Sequence, residues 1–149
     1  MCNDFEPVRE IREKCIRLLT RREHSQRELL DKLGLKGFDR SEIQLVIDML
    51  IDEGWQSDER FAESYTRYRI RKGFGPVKIA YELRQRGIVG FNLDPVVLDL
   101  TGSWFNLIEQ VCHKKFGDNK PTSEKEWLKQ SRFLQQRGFT HELIKTVIS

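Results

Sequence analysis

Long apolar runs are missing from this chain: none approaches the roughly 18 residues that a membrane-spanning helix requires, so no transmembrane segment is expected. Residues Met1 to Glu6 carry neither the basic nor the apolar region of a secretory signal, and no export is expected from them. Cysteine is scarce. The 3 thiols, Cys2, Cys15 and Cys112, are odd in number and far apart, which excludes a disulfide framework and suits a reduced, cytoplasmic protein. Net charge is small as well: +3 on 149 residues excludes a histone-like polycation, so any contact with nucleic acid must come from local clustering. Alternation with period two never lasts long enough to predict a strand, and no low-complexity linker divides the chain.

The signatures of common enzymes and metalloproteins are absent too. Gly73-Phe74-Gly75-Pro76 is glycine-rich but lacks the Gly-Lys-Ser/Thr ending of a phosphate loop. It reads as a helix-to-helix turn, the alternative being an anion site at the following helix start on Gly75, Pro76 and Val77. Cys112 and His113 are neighbours pointing in different helical directions, with no second pair at zinc spacing, so Cys112 reads as core. His24 falls at a turn and His141 near a helix start, neither with a partner that sequence assigns, and the carboxylates sit at capping or i,i+4 positions. No catalytic residue, no metal and no cofactor is expected.

What the chain does have is a three-residue phrase that returns at near-constant spacing: Lys36-Gly37-Phe38, Arg86-Gly87-Ile88 and Arg137-Gly138-Phe139, separated by 50 and 51 residues. A leucine stands five residues before the hydrophobic member each time (Leu33, Leu83, Leu134), and Ile43, Leu93 and Ile144 stand five after it. Val46, Val96 and Val147, then Ile47, Val97 and Ile148, complete the pattern. Such a period marks tandem supersecondary units that need one another for burial. The phrase itself is a helix stop. The cation suits the negative helix end, glycine takes the left-handed C′ position, and the next residue packs back on the leucine at C3.

Helical spacing places Ile11, Cys15, Leu18 and Leu19 on one face of a first helix from Val8 to Arg22. Ser25 with Glu28 forms a capping box for a second, and Asp39 with Glu42 opens a third that stops at Gly54. Ser57-Asp58 caps a helix that ends at Gly73, and Pro76 and Pro95 sit where a first helical turn tolerates proline. Trp104 to Phe116, a loop over Gly117 to Pro121, a capping box of Ser123 with Glu126, and Thr140 as the last cap complete the chain. Charged residues at 33% against 38% hydrophobic ones favour thin amphipathic layers over one deep core. The predicted fold is all-α: about nine helices in three tandem three-helix repeats, over 1–56, 57–102 and 103–149, in an elongated or curved array.

The basic residues carry the functional signal. Between Arg67 and Arg86 stand 7 cations (Arg67, Arg69, Arg71, Lys72, Lys78, Arg84, Arg86) against one acid, Glu82. Arg60, Arg67 and Arg71 share a helical face with Ser64, beside an apolar face of Phe61, Tyr65 and Tyr68. A solvated stripe, with Glu63 on Arg67 and Glu82 on Arg86, is the bland reading, but acids are too few here to neutralise it. Clustering on one face favours contact with a polyanion or an acidic protein. Arg21, Arg22, Lys114 and Lys115 are candidates to extend that surface.

Three stretches resemble the RecX family of bacterial recombinase regulators: Arg22-Glu23-His24-Ser25-Gln26-Arg27-Glu28-Leu29, Ser57-Asp58-Glu59-Arg60-Phe61-Ala62, and Arg71-Lys72-Gly73-Phe74-Gly75-Pro76 with Ile79, Glu82-Leu83 and Arg86-Gly87-Ile88. Lys114-Lys115-Phe116-Gly117 and Phe133-Leu134-Gln135-Gln136-Arg137-Gly138-Phe139 extend the likeness, which runs from about Val8 to Ile148. Ser57 departs from the second acidic residue of many members, and both types cap a helix. The resemblance implies a protein that binds the RecA recombinase, above all its filament on single-stranded DNA, and restrains it. Filament extension, ATP turnover, strand exchange and stimulated repressor cleavage fall as a result. A non-enzymatic, cytoplasmic monomer is expected. The basic stripe then meets either acidic recombinase surface or DNA phosphate. A stand-alone DNA-binding protein acting through a basic helix pair is the alternative, disfavoured by the low net charge and by the lack of a base-reading set on a basic face.

Overall fold

Each helical stop and start anticipated above has a counterpart in the computed structural model, which describes residues 6–148; Cys2 lies outside them. The elements run α1 (Glu6–Arg21), α2 (Gln26–Leu35), α3 (Arg40–Asp52), α4 (Asp58–Arg71), α5 (Pro76–Gln85), α6 (Asp94–Thr101), α7 (Trp104–Phe116), α8 (Glu124–Gln136) and α9 (His141–Ile148). No strand occurs among the described residues. None of their helices is long and apolar enough to cross a membrane.

The stops follow the predicted chemistry. At Gly37, φ is 90°, its N–H donates to Gly34 O at 3.0 Å and Phe38 N–H donates to Leu33 O at 3.3 Å, the double bond of a Schellman ending. Gly138 repeats it, its own N–H donating to Gln135 O at 3.0 Å and that of Phe139 to Leu134 O at 3.2 Å. Gly87, at φ 83°, donates to Arg84 O at 3.0 Å. The same device ends α3 at Gly54 and α4 at Gly73, each with both bonds.

The starts follow with two differences. Ser25 and Glu28 form the full capping box, and Ser57, Ser103 and Thr140 accept from the N–H of Arg60, Asn106 and Leu143. Asp39 is the N-cap of α3 but makes no cap bond with its side chain, which accepts from the Ser41 hydroxyl instead. Ser123 accepts from Glu126 N–H at 3.2 Å, yet the Glu126 carboxylate accepts from Thr122 N and Oγ1 at 2.9 and 3.0 Å, one residue beyond the box.

The helices gather into two compact units. The first holds the described part of Met1–Ser64 with Arg84–Val89. Its core joins Ile11 and Cys15 of α1, Leu29 and Leu33 of α2, and Ile43, Val46, Ile47 and Leu50 of α3. The period of 3.6 gives α3 two adjoining apolar rows, so it packs on both α1 and α2. Polar contacts bind the start of α4 to this core. The Asp58 carboxylate accepts from Gln26 N at 2.9 Å and from Gln56 Nε2 at 2.8 Å, and Arg60 reaches Glu23 at 3.1 Å and Gly54 O at 2.8 Å.

The second unit holds Tyr65–Leu83 and Gly90–Ser149, of which the last residue lies outside the described ones. Here α9, buried through Ile144 and Ile148, packs on both α7 and α8 as α3 packs on α1 and α2, and α6 lies against α7. The turn from α4 to α5 meets the end of α8 backbone to backbone. Gly75 N–H donates to Arg137 O at 2.8 Å and Val77 N–H to Gly138 O at 2.9 Å. A Cβ on Gly75 would lie 2.6 Å from the Gly138 carbonyl, so only glycine permits this approach.

Candidate anion-binding surface

Buried Phe61, Ala62, Thr66 and Ile70 turn one face of α4 to the interior, which sets its arginines on the remaining faces. The predicted cations differ in their settings. Some are matched by acids. Arg60 pairs with Glu23, Arg67 with Asp99 at 2.7 Å, and Arg86 lies 3.9 Å from Glu28. Arg69 is the most enclosed, its side chain 16% exposed. Glu82 accepts from its Nε and Nη2, both at 2.9 Å, and its guanidinium lies 3.8 Å from the Phe74 ring centre. The ring of Phe74 also carries Arg137 at 4.9 Å and Lys78 at 5.0 Å. Phe74 thus gathers three cations, each attracted by the negative ring face. Arg84 is exposed on the first unit.

Arg71 and Lys72 converge with three further cations. Within the second unit a cavity of about 580 Å³ is lined by Arg71, Lys72, Lys114, Lys115 and Arg137, and by no Asp or Glu. Its apolar wall includes Ile70, Leu107, Val111 and Phe133. Local structure explains the convergence. Arg71 ends α4 and Lys72 follows it, Lys114 and Lys115 lie in the last turn of α7, and Arg137 is the C-cap of α8. Three helix ends meet there, and cations favour the negative end of a helix. That role alone leaves charge over. Three helix ends amount to roughly −1.5 elementary charges at about −0.5 each, against five cations on the wall. Arg137 is fixed by donating Nη1 to Lys72 O at 3.0 Å and by lying 5.2 Å from the Phe133 ring centre, where Lys115 Nζ also stands at 5.2 Å.

The candidate anion site on Gly75, Pro76 and Val77 lies where the α4–α5 turn meets the end of α8. Proline has no N–H, and the N–H groups of Gly75 and Val77 donate to carbonyls at the end of α8, so two of the donors an anion would use are occupied. Arg137 is the member that sequence reasoning missed as a site residue. Its phrase reads locally as a helix stop, and only the tertiary crossing at Gly75 brings it beside Arg71 and Lys72.

Cys15 is buried, and burial pushes its thiol up to about 11. Burial also raises Cys112, which lines a second cavity of about 520 Å³ with His113, whose Nδ1 lies 2.9 Å from Asp118. No cluster of three or more metal-ligating side chains occurs among the described residues.

The chain matches three family models in order: RecX, first three-helix domain, over 12–50; second three-helix domain, over 57–90; and third three-helix domain, over 105–148. It is 41% identical over 135 residues to regulatory protein RecX of Halorhodospira halophila, covering 91% of this chain and 84% of that one. With its counterpart in Vibrio campbellii the identity is 36% over 143 residues, 96% and 92% of the two chains. A crystal structure of a regulatory protein RecX superposes with a TM-score of 0.78 at 19% identity, over 95% of this chain and 73% of that one. RecX from Lactobacillus salivarius gives 0.71 at 22% identity, over 96% and 95%.

Proposed function

The chain belongs to the RecX family, and on that premise we propose that it regulates the RecA recombinase by binding its filament on single-stranded DNA and restraining it. One observation carries this reading: all three family domains are present in order, and the alignment to a regulatory relative leaves little of either chain uncovered. Its action is steric rather than catalytic. Three tandem helical repeats, divided at about 56 and 102, offer surface to more than one subunit, and the protein works as a cytoplasmic monomer. Arg60, Arg67, Arg69, Arg71, Lys72, Lys78, Arg84 and Arg86 remain the candidate contact set. Arg60, Arg71, Lys72 and Arg84 are exposed; Arg60 is held by Glu23, so Arg71, Lys72 and Arg84 are the ones to meet acidic recombinase surface or DNA phosphate directly.

Equimolar or lower amounts of the protein are expected to slow recombinase-catalysed strand exchange and lower DNA-dependent ATP hydrolysis, with no hydrolysis by the protein alone. Normal filament turnover at saturating protein would overturn the proposal. The convergent cations also favour direct DNA contact, so a stand-alone DNA-binding protein is the second reading. Tight binding to duplex and single strands without recombinase, combined with no effect on recombination, would select it.

A further inference from the structure

The five-cation cavity of the second unit asks for a ligand of its own. Its volume, about 580 Å³, exceeds what a lone phosphate fills and lies within the range of small-molecule and cofactor sites. Its wall is divided in character: Arg71, Lys72, Lys114, Lys115 and Arg137 supply charge, while Ile70, Leu107 and Val111 supply apolar surface. Lining acids are absent, so the positive charge is focused there rather than cancelled. The ring of Phe133 is engaged already, edge to face with Phe116 at 5.4 Å and attended by Lys115 and Arg137, which holds those two cations at the wall.

We infer that this cavity binds a nucleotide, its linked phosphates on the five cations and its base or sugar on the apolar wall. Linked phosphates deliver several charges within a few ångströms, and the two arginines present forked donors that match phosphate oxygens. An acidic peptide fits less well. Its charges are spread along an extended backbone at about 3.3 Å per residue, and its own N–H and C=O groups would face aliphatic side chains. The nucleotide has two sources, a free nucleoside triphosphate or one unit of a single-stranded nucleic acid. The assignment does not rest on the recombinase reading.

The test uses the full chain without recombinase. Fluorescent ATP, a labelled oligothymidylate and a labelled oligoglutamate are each titrated at low salt by anisotropy. Wild type is compared with the doubly reversed variant Lys114→Glu/Lys115→Glu and with the milder Lys114→Ala/Lys115→Ala. Circular dichroism of each variant keeps folding separate from binding. Both variants are expected to lose affinity, the reversal by about tenfold or more, and the salt slope for oligonucleotide should fall by ~0.7 for each phosphate no longer neutralised. Saturable ATP binding that oligothymidylate displaces weakly assigns the free nucleotide. Oligothymidylate binding that ATP displaces weakly assigns the nucleic acid. Binding of neither, binding of both unchanged in folded variants, or preference for oligoglutamate would overturn the proposal. Recombinase inhibition, assayed separately, would survive any of those results if the proposed function is right.

Discussion

His24 shows how much a single residue can be tied to its surroundings. The imidazole is buried at 2% exposure, with Nδ1 3.1 Å from Arg22 O and Nε2 3.0 Å from Lys32 Nζ. A carbonyl only accepts, so Nδ1 bears the proton and Nε2 accepts from the ammonium; the ring is neutral. Burial lowers its pKa from the ordinary 6.5, and the Arg22 and Lys32 charges add to that, against the Arg22 carbonyl bond and Glu28, which raise it. Lys32 is itself lowered, by burial first and then by Arg22 and Arg21, with Glu28 opposing. The sign follows. An unfolded His24 takes up a proton near pH 6.5 that the folded one declines, so stability should fall as pH drops below that value. Burial of Glu28 raises its pKa, but the hydrogen bonds from Arg22 and Ser25 outweigh it and leave the carboxyl below its usual 4.5; its contribution is lost only in a more acidic window. Thermal melts at pH 7.5 and 5.5 should differ for wild type and differ less for His24→Gln. Equal slopes would show that another group titrates.

The same scale sets a second test at the glycine crossing. A Cβ on Gly138 would meet the Lys78 side chain and stand 2.7 Å from its backbone N, at a φ of 97°. Gly138→Ala should therefore cost about 2–4 kcal/mol, overpacking plus left-handed strain. At Gly87, φ is 83° and the nearest obstacle, 2.9 Å away, is Cβ of Arg27, with no backbone atom among the three nearest. Gly87→Ala should cost about 1 kcal/mol or somewhat more, and less than Gly138→Ala. Chemical denaturation of both variants checks the ranking, and a reversed order would refute the crossing as the tighter site.

At the scale of elements, the helices were legible because their signals are local. Residues 33 to 38 hold a complete stop within one turn, and Ser25 to Glu28 a complete start. Where sequence reading fell short, a competing partner lay nearby: Asp39 turned to Ser41, and Glu126 to Thr122. The site was less legible because it is tertiary. Arg69 belongs to the densest basic run, yet Glu82 and Phe74 enclose it; Arg137 lies far along the chain, yet donates to Lys72 O. No spacing rule reports an approach between residues so far apart. Leu83, 2% exposed at the C3 position of α5, tests the part that was legible. Leu83→Ala should cost ~2–5 kcal/mol as a core truncation, and an unchanged melting curve would remove the leucine from the core role that the repeat assigns it.

At the scale of the whole molecule, the question is which cations a partner can use without dismantling the fold. Arg67 and Arg71 share a face of α4, but their settings differ. Arg67 is 29% exposed and stands 2.7 Å from Asp99, itself 63% exposed, a pair of the kind worth roughly 0–1 kcal/mol. Arg67→Glu would set two carboxylates against each other and disturb the second unit as well as any interface. Arg71 is exposed and lines the acid-free cavity, so Arg71→Glu should move stability by no more than ~0.5 kcal/mol. Binding to the recombinase filament should nevertheless drop sharply, and the remaining binding should depend less on salt. A phosphate partner makes isolated single-stranded DNA lose affinity in parallel, with a salt slope shallower by ~0.7. Acidic recombinase surface as the partner leaves DNA binding weak in both proteins and impairs the filament complex alone. Undiminished filament binding by a folded Arg71→Glu chain would mean that Arg71 takes no part in the contact with the filament.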